Sequence, residues 1–449
     1  MKKPINTLLG IALTAVLTLS ACTETAEQRY AYQLGNVGSF AEIINAGAKD
    51  LALSSPMSPT EMDEFMPLAK EVAARHSVEV YREDDLVVTQ LFPANVATGK
   101  EVLVLYQGHT LDTYQKLKAD KVQANGDAEK ELDISRRFGR LLSYTPRKIN
   151  RLLAENTDYR TLDDFGIKAT NVFLYYKDLP RATRFYKDVV GLELLTEYDN
   201  ASVFIIANGA YLICVDAAKG MHSADEPKSV ALAFLTDQLP EWYAHVQAQN
   251  VPIKYTYKPR EGGPHDGFVA IDPEGYLLEF EEFKPHKENE PFATILANNP
   301  RTETSIEANG KKLSFFGAIT WLYHKDVLGM QNFYEDVMGL ELAADQGWTK
   351  IYRATDGGYI GLVDERRGMN DYSDEKAVTV SFFMEDLQGW YDYVKAHKPF
   401  ELRSEELGAE PDGRYRAFVG YGPEKYFLEF DAFGEHADNV RLLQTLVED

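Results

Sequence analysis

Residues 171–194, NVFLYYKDLPRATRFYKDVVGLEL, read as a strand, a cap, a helix, a stop and a second strand. Val172, Phe173, Tyr175 and Tyr176 suit a strand. Asp178 suits a helix N-cap, Ala182, Phe185 and Val189 share one helical face, and Gly191 suits the stop. A second copy, ITWLYHKDVLGMQNFYEDVMGLEL, starts at Ile319. Asp178 and Asp326, Tyr186 and Tyr334, Gly191 and Gly339, Asp216 and Asp364, and Trp242 and Trp390 all share an offset of 148. LLEFEEF near 280 pairs with FLEFDAF near 430. A constant offset kept through so many positions is a duplication.

Each copy divides again. In the first, three strands follow the helix, the last two meeting at the hairpin turn Asn208-Gly209. SVALAFLTDQLPEWYAHVQAQNVPI then restarts the pattern, with Asp237 as the expected cap. GFVAI, the turn Asp272-Pro273-Glu274-Gly275 and YLLEFEEF complete it. The expected pattern is βαβββ, four times, with repeats at 165–285 and 312–435. Residues 286–311, charged and rich in Asn, Pro and Thr, are expected to be a linker. Residues 436–449 are expected to be a C-terminal helix.

Upstream, residues 37–160 are expected to form a separate α+β domain of unknown role. VEVYRE, LVVTQLF and EVLVLYQG look like strands, and TLDTYQKLKA, AEKELDISRRFGRLL and TPRKINRLLAEN like helices. Ser58-Pro59-Thr60-Glu61 is a capping box with Pro at the first helical position, and Pro67 should kink that helix or mark its real start. Residues 22–36 are expected to be a polar tether.

Residues 1–21 carry two lysines, an apolar run and Leu19-Ser20-Ala21 before Cys22. This resembles a bacterial lipoprotein signal. The resemblance implies cleavage before Cys22, lipidation of its sulfur and attachment to a lipid bilayer. Thr23 in place of Asp favours the outer membrane, facing the periplasm. The other cysteine is Cys214, so the mature chain has no intramolecular disulfide to draw on. The net charge of −23 argues against nucleic acid and anionic membrane surfaces as partners.

The repeated pattern resembles the vicinal oxygen chelate (VOC) superfamily, which includes glyoxalase I, extradiol dioxygenases and bleomycin-resistance proteins. The resemblance implies an α+β fold of tandem VOC domains, each built from paired βαβββ modules curled around a cleft. It also implies a divalent metal held by strand residues and chelated by two substrate oxygens. The opening-strand ligand position, seven residues before the cap, is Asn171 and Ile319; its second-half counterpart is Val230 and Thr379. The closing-strand position is Glu279 and Glu429, and a further carboxylate position falls near Cys214 and Leu362. Ile319 and Val230 offer no donor atom, so only the glutamates suit a metal in both copies. Asn171, Cys214 and Glu279 form the one candidate metal set, which lacks an imidazole. No cofactor is expected.

Alternation places Asn171, Phe173 and Tyr175 on one strand face, and Ile319, Trp321 and Tyr323 on its counterpart. Glu279 and Glu281 share a face, as do Glu429 and Asp431. Tyr255, Tyr257, Arg260 and His265 in the first copy, and Arg403, Arg414 and Arg416 in the second, are candidate polar contacts. Glu279 and Glu429 are the candidate catalytic residues, as general bases with raised pKa. The plainer alternative is that the aromatics are core and the glutamates satisfied. Asp216 and Asp364 are expected as strand-end caps, and the Gly-Met pairs after them as a shared structural connection. Three functions stay open: small-molecule binding in metal-free aromatic clefts, a lyase, isomerase or dioxygenase activity, or an envelope scaffold. A homodimer also stays open.

Overall fold

The computed structural model describes residues 25–93 and 95–446; the expected signal segment and Cys22 lie outside the described residues. The chain divides into two units, 1–144 and 145–449.

In the first unit, β1 (Leu51–Leu53), β2 (Glu79–Glu83) and β3 (Val102–Tyr106) form an antiparallel sheet in the order β1-β3-β2. LVVTQLF is not a strand. Its backbone bonds to side chains instead, Val87 N–H to the Tyr114 hydroxyl (3.4 Å) and Gln90 N–H to Ser135 Oγ (3.1 Å). The helix Pro59–Ala74 starts at the Ser58 capping box and runs through Pro67. The expected tether is helical over Ala26–Arg29 and Ala31–Asn45, because Tyr30, Val37, Ala41 and Ile44 have a core to bury in; Tyr30 meets Phe65 at 5.4 Å. The helix Pro146–Asn156 belongs to the second unit, where Asn150 Nδ2 donates to the Glu335 carbonyl (2.8 Å).

The second unit holds four βαβββ quarters. Quarter one contains β4 (Ile167–Tyr176), β5 (Glu193–Tyr198), β6 (Ala201–Ala207) and β7 (Ala210–Asp216). Quarter two contains β8 (Val230–Leu235), β9 (Ile253–Tyr255), β10 (His265–Ile271) and β11 (Leu277–Phe283). A hairpin of β12 (Thr302–Ala308) and β13 (Lys311–Phe315) follows. Quarter three contains β14 (Gly317–His324), β15 (Glu341–Asp345), β16 (Thr349–Arg353) and β17 (Gly358–Asp364). Quarter four contains β18 (Val378–Met384), the short β19 (Glu401–Leu402) and β20 (Gly408–Ala409), β21 (Tyr415–Tyr421) and β22 (Phe427–Phe433).

The quarters do not pair within their own repeat. The first sheet runs β19-β21-β22-β18-β4-β7-β6-β5, joining quarter one to quarter four. The second runs β15-β16-β17-β14-β8-β11-β10-β9, joining quarter three to quarter two. The seams are antiparallel: Val172 faces Val380 in one and Ile319 faces Ala233 in the other. The sequence repeats are therefore not the sheets, and each cleft takes half its frame from each copy. Tyr276, beside β11 of the second sheet, accepts from Tyr175 N–H (2.9 Å) and donates to the Ala377 carbonyl (2.6 Å) of the first. Tyr426 reciprocates, accepting from Tyr323 N–H (2.8 Å) and donating to the Ser229 carbonyl (2.7 Å).

One face of each sheet packs against helices in a common core that includes Trp242, Phe280, Trp390 and Phe430. The segments after the two closing strands fold alike. Asn289 and Asn439 are fully buried, their amides donating to the carbonyls of Lys284 (2.8 Å) and Gly434 (2.9 Å). The helices Phe292–Leu296 and Val440–Thr445 then cover one end of each sheet's other face. Phe292 lies 4.9 Å from the Tyr359 ring, and Thr445 Oγ1 lies 2.9 Å from the Tyr211 hydroxyl. The expected linker thus begins as the counterpart of the chain's C-terminal segment.

Candidate functional site: two clefts

Strand alternation aims Asn171, Phe173 and Tyr175 away from the helices of the first sheet, and β22 sends Glu429 and Asp431 the same way. Register sets the rows. Asn171 stands beside Ser381, and Ser381 beside Glu429; Phe173 stands beside Thr379. The cleft above them has a volume of about 560 Å³ and is lined by Phe173, Tyr175, Tyr198, Tyr415, Arg403, Glu429 and Asp431, among others. The Tyr175 hydroxyl pairs with Thr379 Oγ1 at 2.8 Å, and its ring meets His222 edge-on at 5.0 Å. Glu429 and Asp431 are buried, and Ser381 donates a hydrogen bond to Asp431. Burial and the adjoining Asp431 push Glu429 well above the ordinary carboxylate range. Burial raises Asp431 to about 6, and hydrogen bonds from Glu429 and Ser381 hold it down. Each carboxyl thus disfavours the other's charge. Asn171 is 2% exposed, and neither atom of its amide has a partner among the described residues.

The second cleft repeats the frame with other side chains. The row through Asn171 becomes Ile319, Ala233 and Glu279. An inner cavity of about 190 Å³, lined by Glu279, Glu281, Trp321, Tyr323, Trp348 and Thr349, adjoins an outer one of about 690 Å³. Lys254, Tyr255, Lys258, Arg260 and His265 line the outer part. Burial and Glu281 push Glu279 well above the usual range. Burial also raises Glu281, while His265 and the nearby Trp321 indole hold it down. That indole is close enough to act electrostatically, yet neither Trp321 Nε1 nor Glu281 Oε2 completes a hydrogen bond.

Several expectations change. Tyr255, His265, Trp321, Tyr323 and Glu279 meet in the second cleft, and Phe173, Tyr175 and Glu429 in the first. Tyr257 is not in a cleft; it packs against Tyr243 (6.0 Å) on the helix side. Arg416 points the same way, to Gln388, because Tyr415 and Ala417 take the cleft face of β21. Arg414 is held by Asp412 (2.7 Å) and Asp438 (3.6 Å), while Arg403 lines the first cleft. Asp237 is not the cap: Gln238 is, and Asp237 pairs with Arg301. Counting back from Gln238 moves the ligand position from Val230, on the helix side, to Ala231, on the cleft side.

The candidate metal set does not assemble. Cys214 lies in the helix-side core, where burial raises its thiol pKa, and Glu279 belongs to a different sheet from Asn171. Among the described residues no three His, Cys, Asp or Glu side chains are placed to hold a metal ion. In the second cleft the frame positions carry Ile319 and Ala231, which have no donor atom. The residues of the second cleft do not fit the metal of the resembled family.

Sequence reading missed Trp348, Thr349, Met221 and Met369. The Gly-Met pairs were legible but undervalued: a Cβ on Gly220 would sit 2.7 Å from Tyr175 Cε1, and one on Gly368 2.4 Å from Tyr323 Cε1. Each glycine lets its loop close onto a cleft tyrosine, bringing Met221 or Met369 to the wall.

Residues 168–280 match the model of the Glyoxalase/Bleomycin resistance protein/Dioxygenase superfamily. Among solved structures the chain is similar to glyoxalase I from Zea mays, at 15% identity, covering 62% of this chain and 94% of that one with a TM-score of 0.42. It is also similar to a putative dioxygenase from Bacillus subtilis subsp. subtilis str. 168, at 19% identity, 65% and 91% coverage and a TM-score of 0.40. The cppA protein from Streptococcus pneumoniae TIGR4 aligns at 12% identity, 59% and 98% coverage and a TM-score of 0.35. No curated protein matches.

Proposed function

We propose that this chain is a lipid-anchored protein of the cell envelope that binds small organic molecules in its two clefts, without the divalent metal that the resemblance implies. The observation that carries the reading is the same in both clefts. Aromatic walls enclose two carboxyls on the closing strand, Glu429 with Asp431 and Glu279 with Glu281, and none of the four forms an ion pair among the described residues. Withdrawing carboxyls from water is costly, and a polar ligand that pairs with them offsets that cost. The first cleft's volume falls in the range of small-molecule sites. The anchor rests on the N-terminal sequence ending at Cys22.

Native mass spectrometry of protein purified from its own host tests the binding reading. The expected result is a retained organic mass that Glu429→Ala or Glu279→Ala removes without unfolding the chain. No retained mass, or retention indifferent to both changes, would sink it. For the anchor, Cys22→Ala should move the protein from the membrane to the soluble fraction; unchanged fractionation would remove that part. A second reading draws on Glu429 and Asp431 as adjoining buried carboxyls, both raised above their ordinary range. Such a pair suits general acid–base catalysis, in which case Glu429→Gln would abolish turnover and leave binding intact.

A further inference from the structure

The second cleft contains three buried polar atoms without hydrogen-bond partners among the described residues: Glu281 Oε2, Trp321 Nε1 and Thr349 Oγ1. Their residues are 7%, 6% and 3% exposed, and all three line the inner cavity. An unpaired buried polar atom costs about 1–3 kcal/mol, so three around one cavity mark a place that a ligand completes. An indole nitrogen can only donate, and a threonine hydroxyl can do either. The Trp321 and Thr349 needs are met by one group rich in acceptors.

The mouth indicates charge. Lys254, Lys258 and Arg260 line the outer cavity and Arg367 the inner one. None of them forms an ion pair among the described residues, in a chain of net charge −23. Arg367 instead lies 4.6 Å over the Trp348 ring, and Lys254 lies 5.7 Å from the Tyr255 ring. Lys254 also donates to the Met369 carbonyl (3.0 Å), and four cations without an ion pair among the described residues draw an anion toward the mouth. Trp321, Tyr323, Trp348 and Phe283 supply flat apolar walls. The inner volume lies below the roughly 300 Å³ at which drug-sized sites begin. The ligand is therefore small.

We infer that the second cleft binds a one-ring aromatic carboxylate. Its oxygens accept from Trp321 and Thr349, its ring lies among the aromatic walls, and its charge is drawn by Lys254, Lys258, Arg260 and Arg367. The inference rests on the proposed binding function and names the ligand class for one of its two sites. The first cleft differs in kind: Lys219 and Arg403 are the basic side chains lining it, against Glu410, Glu429 and Asp431.

The test uses three probes with the same ring, benzoate, benzyl alcohol and benzylamine, titrated into the full chain by calorimetry and tryptophan fluorescence. Benzoate should bind at least about tenfold more tightly than the other two. Trp321→Phe, which keeps the ring and removes the donor, should weaken benzoate about tenfold. The exposed pair Lys258→Glu and Arg260→Glu should weaken it further and flatten its salt dependence, with the fold intact by circular dichroism. Equal binding of all three probes, preference for benzylamine, or no binding overturns the inference. Benzoate binding that is indifferent to Trp321→Phe but lost with Glu429→Gln places the acid in the first cleft and also overturns it. If native protein retains a neutral or cationic molecule in the second cleft, the inference fails and the binding function stands. If it retains nothing and no probe binds, both fail.

Discussion

Across the first seam Asn171, Ser381 and Glu429 stand side by side; across the second the same row reads Ile319, Ala233 and Glu279. The strand orders of the two sheets match, and only the closing glutamate is common to both rows. The difference separates frame from furnishing. Hydrogen-bond ladders, the tyrosine pins and the Gly-Met loops recur whatever stands in the cleft. The polar contents are chosen site by site, which is why fold and function must be argued separately.

The most drastic way to break this comparison is to separate the copies. Residues 145–285 expressed alone contain no complement for either half, so no cooperatively folded monomer is expected in size-exclusion chromatography with thermal melts. A folded monomer would mean that quarters one and two can pair with each other. Next is a charge effect confined to the first cleft. The folded pKa of Asp431, about 6, lies above the unfolded value of about 3.9. Its ionisation therefore erodes stability as pH rises from about 4 to about 6. Asp431→Asn should match the wild type below pH 4 and exceed it by up to roughly 3 kcal/mol above pH 6, as read by urea melts. A constant difference across that window would mean the carboxyl is not withdrawn from water.

Smaller changes sharpen the symmetry. Tyr276→Phe and Tyr426→Phe each leave a buried carbonyl and a buried amide unpaired across the sheets. Each should cost about 2 kcal/mol, and a clear inequality would show that one pin matters more. Gly220→Ala and Gly368→Ala press a methyl into Tyr175 and Tyr323. Each should cost about 1 kcal/mol and weaken binding only in its own cleft, measured with each cleft's ligand. Arg416→Ala, on the far face of β21, should change stability by less than about 0.5 kcal/mol and leave ligand affinity alone.

Much of the frame was legible because it is written in local signals. Asp178 and Asp326 accept from the N–H groups of Arg181 and Gly329 at 2.9 Å, the caps that the repeat announced. Asp216 and Asp364 likewise accept from the second residue after them (3.0 Å each). The pairing of quarters was not legible. Alternation fixes which face a residue takes and says nothing about which strand lies beside it. Phe173 and Tyr175 were placed on the right face, yet with the wrong glutamate. Arg416 and Tyr257 failed for a related reason. Alternation holds only within a strand, and β9 ends at Tyr255, before Tyr257. Trp348 and Thr349 carried no motif, because what matters about them is which cavity they border.

The crossed seams also set an order of events during synthesis. Quarters two and three are consecutive in the chain, so the strands of the second sheet are all made once Asp364 has emerged. Quarter one, made first, cannot complete its sheet until β18 and β22 arrive, since Val172 waits for Val380. Until then the seam edge of β4 is an unpaired strand edge, open to association with neighbouring chains. The inner pair of quarters closes like the inner of two brackets. The carboxyl pair of the first cleft is assembled last, on β22, after β18 has covered the β4 edge.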